Sequence, residues 1–144
     1  MRRLLVLLSS ILLAACDCAS APVVHAPGRR DFMAASPEVL RRGAAVFRER
    51  CSPCHGDSGY GDGVLAGVLP IRPRNYHADP FRWGRTPAGI VETVALGRSG
   101  VMPAFRGALD EADMWAVAQV VWTWMPPSQR EEDAPETLEH WRQP

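Results

Sequence analysis

The sequence contains no lysine: all sixteen of its basic residues are arginines, and they are scattered along the whole chain. We interpret this as a coding bias of the genome rather than as a special chemistry. The sixteen acidic residues balance the arginines, so the formal net charge is zero and no basic excess predicts binding to nucleic acid. A length of 144 residues, 47% of them hydrophobic, predicts one globular domain and excludes a disordered or collagen-like chain.

Two further absences narrow the fold class. Four cysteines are too few for a disulfide framework, and their positions are more informative than their number. No segment alternates between apolar and polar residues as a half-buried strand does, and no internal repeat is apparent. Residues 56–85 contain six glycines and three prolines, which is typical of long loops. The prediction is an all-α fold with long loops.

The N-terminal apolar run, residues 4–15, is too short to span a membrane, because a spanning helix needs about 20 apolar residues. Its basic start and its length are typical of a signal peptide. It ends in Leu13-Ala14-Ala15-Cys16, which resembles the lipobox of bacterial lipoproteins. The resemblance implies removal of residues 1–15, lipidation of Cys16 and, with Asp17, anchoring at the periplasmic side of the inner membrane. An ordinary signal peptide or an uncleaved anchor is the alternative.

Two polar or proline-rich segments flank the predicted domain. Residues 16–36 are rich in alanine and proline and are predicted to form the lipidated N-terminus and a flexible linker. Residues 127–144 are predicted to form a solvated, partly helical acidic tail, with five acidic residues against two arginines after Ser128. The domain between them is residues 37–126.

Three helices are predicted within this domain. Each begins at a residue that commonly caps helices, and each carries an apolar stripe at helical spacing. Glycine or proline follows the second and third at their C-terminal ends. In chain order the predicted helices run from Ser36 to about Arg50, from Thr86 to Gly97 and from Asp110 to Met125.

The motif Cys51-Ser52-Pro53-Cys54-His55 follows the first predicted helix directly. C-x-x-C-H is the attachment motif of c-type haem: the two thiols add to the vinyl groups, and the adjacent imidazole is held under the iron. A thioredoxin-like pair would need a βαβ context, which is missing. A structural zinc needs four ligands, and only His77 and Cys18 could complete the set. The motif therefore predicts one covalently bound haem c.

The globular part of the chain, from Ser36 to Met125, resembles a class I cytochrome c. The resemblance rests on the spacing of Gly43 and Phe47 before the C-x-x-C-H-Gly motif, and on a Gly-Asp-Gly loop at residues 59–63. It implies a fold of about three main helices and long loops around one covalent haem. In this family the glycine lets the last helix cross closely and the aromatic residue packs beside it. In the family the last helix usually supplies an aromatic residue at the position that is Val120 in this chain. Three nearby tryptophans are candidates to take its place: Trp115, Trp122 and Trp124.

Residues 97–105 resemble the distal-ligand loop of the same family, in which a methionine precedes a proline. The resemblance implies that His55 and Met102 are the two iron ligands. His77 is the rival sixth ligand and would make the iron bis-His. The other methionines considered, Met33, Met114 and Met125, are predicted to be core residues.

The two propionates of a haem carry charge that must be paired or hydrogen-bonded where it is buried. The stretch Pro73-Arg74-Asn75-Tyr76 resembles the segment that lines the propionate side in related small cytochromes. Arg74, Tyr76 and Trp83 are therefore the candidate contacts. The alternative is that the arginines form a solvated face and that Trp83 belongs to the core.

These features predict an electron carrier and not an enzyme with a small-molecule substrate. The leading interpretation is a monohaem cytochrome that transfers single electrons between respiratory redox partners at the periplasmic face of the membrane. Between residues 64 and 109, six arginines stand against two acidic residues, which favours an acidic docking face on the partner. The alternative is a fixed haem c subunit of a membrane-associated dehydrogenase or oxidase complex. A catalytic haem protein would require an open coordination site.

Overall fold

The computed structural model describes residues 33–133. The predicted signal peptide, Cys16, Cys18, most of the linker and the tail from residue 134 onward lie outside the described residues. Within 33–133 the chain forms helices and loops without a β-strand, so the all-α prediction is confirmed there. None of the helices in this range is long and apolar enough to cross a membrane. The α-helices are α1 (Pro37–Arg50), α2 (Ser52–His55), α3 (Pro87–Leu96) and α4 (Glu111–Trp124).

The three long helices begin at the predicted caps, and only the single turn α2 was not predicted. An N-cap side chain satisfies one of the backbone N–H groups that have no partner inside the first turn. Each predicted cap accepts a hydrogen bond from the backbone N–H three residues later: Ser36 from Val39, Thr86 from Gly89 and Asp110 from Asp113.

Helices α1 and α4 cross at Gly43, where their backbones touch. A Cβ atom at this position would overlap the carbonyl oxygen of Ala116 and lie 2.8 Å from the side chain of Val120, so only glycine permits the approach. One turn later, Phe47 is buried, and the ring of Trp124 meets it edge-on with the centroids 4.9 Å apart. The expected crossing is present, with Trp124 supplying the aromatic partner that residue 120 lacks.

Arg42 links α1 to the first turn of α4 at the same crossing. Its Nε atom lies 2.7 Å from Oδ1 of Asp113, and its Nη2 atom lies 3.0 Å from Oδ2 of Asp110. The hydrogen bond to Asp113 is the main cause that raises the pKa of Arg42. Since these groups are partly exposed, each ion pair contributes only about 0–1 kcal/mol to stability.

The core lies between α1, α3 and α4, and the predicted core methionines belong to it. Met114 and Met125 are buried, and Met33 packs against the core from the N-terminal side. The carbonyl oxygen of Met33 accepts a hydrogen bond of 2.6 Å from Nε2 of Gln119, which is itself buried. The last residues of the predicted linker, from Met33 onward, are therefore already part of the folded domain.

Candidate haem-binding site

One side of the core opens into a cavity of about 440 Å³, a volume typical of cofactor sites. Its wall is formed by residues from each of the four α-helices and from the loops that precede α3 and α4. The seven residues predicted to contact the haem all line it: Cys51, Cys54, His55, Arg74, Tyr76, Trp83 and Met102.

Cys51 lies between α1 and α2, and Cys54 lies within the single turn α2. The N–H of Cys51 donates to the carbonyl of Phe47 at 2.8 Å, and the N–H of His55 donates to the carbonyl of Cys51 at 2.9 Å. Both Cys51 and Cys54 are free thiols, and burial raises the pKa of Cys51 to about 12. Because a thioether has no proton to lose, this burial suits a thioether sulfur better than a thiolate. Within residues 33–133 no cluster of three His, Cys, Asp or Glu could hold a metal ion, so nothing there supports the zinc alternative.

The glycine-rich loop after α2 holds the motif in place through backbone hydrogen bonds. Gly61 donates to the carbonyl of His55 at 2.8 Å, and Gly63 donates to the carbonyl of Cys54 at 3.2 Å. Gly56, which ends α2 with a φ of 76°, has the carboxylate of Asp62 where a Cβ atom would stand. The attachment motif is therefore fixed on both sides, by α1 before it and by this loop after it.

His55 faces the hydroxyl of Tyr76 inside the cavity. Nε2 of His55 lies 3.3 Å from Oη of Tyr76, and the two rings stack with their centroids 5.0 Å apart. Burial lowers the pKa of His55 and raises the pKa of Tyr76, so both side chains are neutral near pH 7. A neutral imidazole keeps a nitrogen lone pair for iron, and a neutral phenol remains a hydrogen-bond donor. If Nε2 binds iron, the Tyr76 hydroxyl becomes free for another acceptor.

Met102 lies on a tight loop that follows α3. The backbones of Arg98 and Met102 exchange two hydrogen bonds of 2.9 Å, and Phe105 N–H donates to the carbonyl of Val94 in α3 at 3.0 Å. Gly97 begins the loop with a φ of 67°, and a Cβ atom there would lie 2.7 Å from the backbone nitrogen of Ala104. These backbone contacts hold Met102 at the cavity wall although the residue itself lies in a loop and not in a helix.

His77, the rival sixth ligand, does not line the cavity. Its Nε2 atom lies 2.7 Å from the carbonyl oxygen of Ser58, and its ring stacks on Tyr60 with centroids 4.4 Å apart. The geometry therefore favours Met102 over His77 as a ligand.

The predicted propionate contacts differ in their surroundings. The guanidinium of Arg74 donates to the carbonyl of Pro80 and lies 4.7 Å from the ring centre of Phe81, which in turn stacks on Tyr76. Trp83 is 65% exposed, so the alternative that it belongs to the core is wrong.

Several residues of the wall were missed from the sequence, and two of them contact predicted ones. Phe81 lines the cavity between Arg74 and Tyr76, and Arg98 lies 5.7 Å from the ring centre of Trp83. Only their positions in the sequence could have indicated these two residues. Phe81 is two residues from Trp83, and Arg98 lies in the loop of residues 97–105 that carries Met102.

The charge of the cavity wall suits an anionic cofactor. Among the described residues that line it there is no Asp or Glu, whereas Arg50, Arg72, Arg74 and Arg98 all contribute. Arginine is the side chain best able to bind a carboxylate through two parallel hydrogen bonds. Two thiols, an imidazole, a thioether and several cations around one apolar cavity fit a covalent haem with its two propionates.

Comparison with known proteins identifies the family of this chain. Residues 38–120, more than half of the chain, match the family described as cytochrome c oxidase, cbb3-type, subunit III. The chain belongs to this family. Membership in the cbb3-type subunit III family confirms the class I cytochrome c fold and implies a covalently bound haem c. The individual ligands and the number of haems stay predictions.

Two cbb3-type oxidase subunits and a thiosulfate dehydrogenase are similar to parts of this chain. The subunit CcoP of Azospirillum sp. is 37% identical over 61% of this chain and 29% of its own length, and FixP of Bradyrhizobium diazoefficiens is 34% identical over 66% and 29%. A thiosulfate dehydrogenase of Stutzerimonas stutzeri is 31% identical over 64% and 30%. The chain thus spans about three tenths of the length of these relatives.

A solved structure shows the same fold at similar coverage. A chain of the reducing HAO-like protein complex of Kuenenia stuttgartiensis superposes with a TM-score of 0.57 and is 25% identical, covering 65% of this chain and 46% of that one.

Proposed function

We propose that this chain is a monohaem c-type electron relay that works as a fixed subunit of an oxidase-type complex. The observation that carries the proposal is the family match over residues 38–120, since the family is described as an oxidase subunit. The sequence alone favoured a tethered carrier and kept the fixed subunit as its alternative. The comparisons favour that alternative.

In this proposal the chain holds the cofactor with four side chains. Cys51 and Cys54 would bind haem through thioether bonds, and His55 and Met102 would bind its iron. When bound, the haem supplies a one-electron couple between ferric and ferrous iron. The hydrogen-bonded turn at His55 and the closed loop at Met102 would hold both ligands at the iron.

Other residues of the wall would set the environment of that couple. Arg74, Tyr76 and Trp83 are proposed to donate hydrogen bonds to the propionates, and the Tyr76 hydroxyl would be available for this if His55 Nε2 bound iron. The buried apolar side chains of Val94 and Val117 line the cavity and exclude water. A drier site strengthens electrostatic interactions between these donors and the propionates.

We place the redox partner at the mouth of the cavity. Ile71 and Trp83 line the cavity and are 63% and 65% exposed, and the guanidinium groups of Arg72 and Arg98 lie in the same wall. An apolar patch with cations beside it fits a protein surface that is apolar at its centre and acidic at its rim.

Isolation of the tagged full chain from membranes of its own organism, in mild detergent, tests the proposal. We expect a stoichiometric complex that retains the haem of this chain. Arg72→Glu should weaken retention several-fold at low salt, because it reverses one charge of the docking surface.

The matched control is Arg48→Glu, which reverses an exposed charge on α1 outside the cavity wall and should leave the complex intact. Recovery of the wild-type chain as a monomer would contradict the fixed subunit and support the mobile carrier.

We also propose that the chain is exported and that its N-terminus is lipidated. The lipobox resemblance of residues 13–16 supports removal of residues 1–15, acylation of Cys16 and retention at the periplasmic side of the inner membrane. Mass spectrometry of the native N-terminus should detect an acylated Cys16 with residues 1–15 absent. An unmodified N-terminus at Cys18 or later would exclude the anchor.

A further inference from the structure

After α4 the chain turns back along the domain. Residues 127–133, here called the strap, were predicted as the start of a solvated tail, but they are held by hydrogen bonds on two sides. On the first side, Arg130 donates to the carbonyl oxygens of Met125 and Thr123, and its guanidinium lies 5.2 Å from the ring centre of Trp122. The strap is therefore fastened to the end of α4.

On its second side the strap is bonded to residues 81–88, the segment that enters α3. The Phe81 N–H donates to the side-chain oxygen of Gln129 at 2.7 Å. The Arg85 side chain and Glu131 form an ion pair of 2.9 Å, and the Glu131 N–H donates to the Arg85 carbonyl. The Ala88 N–H, in the first turn of α3, donates to the carboxylate of Asp133 at 3.0 and 3.1 Å.

The segment held in this way is part of the haem cavity. Phe81 lines the cavity and stacks on Tyr76 with the ring centroids 6.0 Å apart, and Tyr76 stacks on His55. A continuous row of contacts thus runs from Gln129, on the strap, through two aromatic rings to the proximal imidazole.

We infer that the strap positions the wall of the haem cavity, and that Gln129 is its positioning residue through Phe81. The inference rests on the haem site of the proposed function. Residues 81–86 of this segment have an irregular backbone, so the rings they carry need partners from outside the segment to stay in place. A wall held closed excludes water from the Tyr76 side of the cavity. Solvent exposure and hydrogen bonding around a haem tune its reduction potential, with water favouring the more highly charged ferric state.

Gln129→Met in the haem-loaded full chain tests this inference. The substitution keeps the size of the side chain and removes the acceptor for Phe81 N–H. We expect a lower midpoint potential than in the wild type, and hydrogen exchange at the Phe81 amide faster by roughly two- to tenfold, the effect of losing one hydrogen bond. Ser128→Ala, at an exposed neutral position of the strap, is the matched control and should change neither quantity.

A Gln129→Met protein with the wild-type potential and wild-type exchange would overturn the inference. If this variant does not load haem, Asp133→Ala is measured instead. Loss of a nearby negative charge by itself raises the potential, whereas an opened wall lowers it, so a raised potential would also overturn the inference. Recovery of the chain as a monomer in the isolation experiment would refute the fixed subunit without affecting this result.

Discussion

The double substitution Cys51→Ala and Cys54→Ala is expected to abolish covalent haem attachment. Both thiols line the cavity, and both are free to form thioethers. Without them the haem would be held only by iron ligation and packing, which acid-acetone extraction disrupts. The wild-type chain should therefore keep its pigment through this extraction, and the doubly substituted chain should lose essentially all of it.

A matched control shows whether the loss of pigment is specific to the two cysteines of the motif. Cys18→Ala removes a cysteine outside the motif, and it should leave the pigment bound. Pigment that stays with the doubly substituted chain after extraction would mean that the attachment site is elsewhere.

The second large effect is expected at Met102. Iron with histidine and methionine ligands in its low-spin ferric state has a weak absorption band near the red end of the visible spectrum. Met102→Ala should abolish this band and open the iron to carbon monoxide or cyanide, because it removes the thioether from the cavity wall. Met102→His should keep six ligands and lower the midpoint potential, since imidazole favours ferric iron more than a thioether does.

Two controls make the ligand assignment specific. Met114→Leu alters a buried methionine that is not in the cavity wall and nearly conserves its volume, so the band should persist. His77→Ala tests the rival ligand and should also leave the band, because His77 lies against Ser58 and Tyr60. A wild-type protein that lacks the band and binds carbon monoxide readily would contradict the relay and favour a ligand-binding or catalytic haem.

The local chemistry of this protein could be predicted from the order of its residues. A helix cap acts over three residues, so Ser36, Thr86 and Asp110 marked the helix starts. The C-x-x-C-H motif is equally local, because two thiols and an imidazole must share one turn to meet the same cofactor. The helix crossing at Gly43 and the place of Met102 at the cavity wall could be predicted only through the spacing seen in a known family.

Contacts between residues far apart in the chain were decided by the tertiary structure. The sequence left three tryptophans as candidates for the partner of Phe47 and left Trp83 between a haem contact and the core; the structure selects Trp124 and exposes Trp83. The composition of residues 127–133 predicted a solvated tail, yet Gln129 and Asp133 bond to the segment before and within the start of α3. Acidic and amide side chains suit solvent and backbone N–H groups equally well. Which of the two they meet depends on where the crossing of α1 and α4 directs the end of the chain.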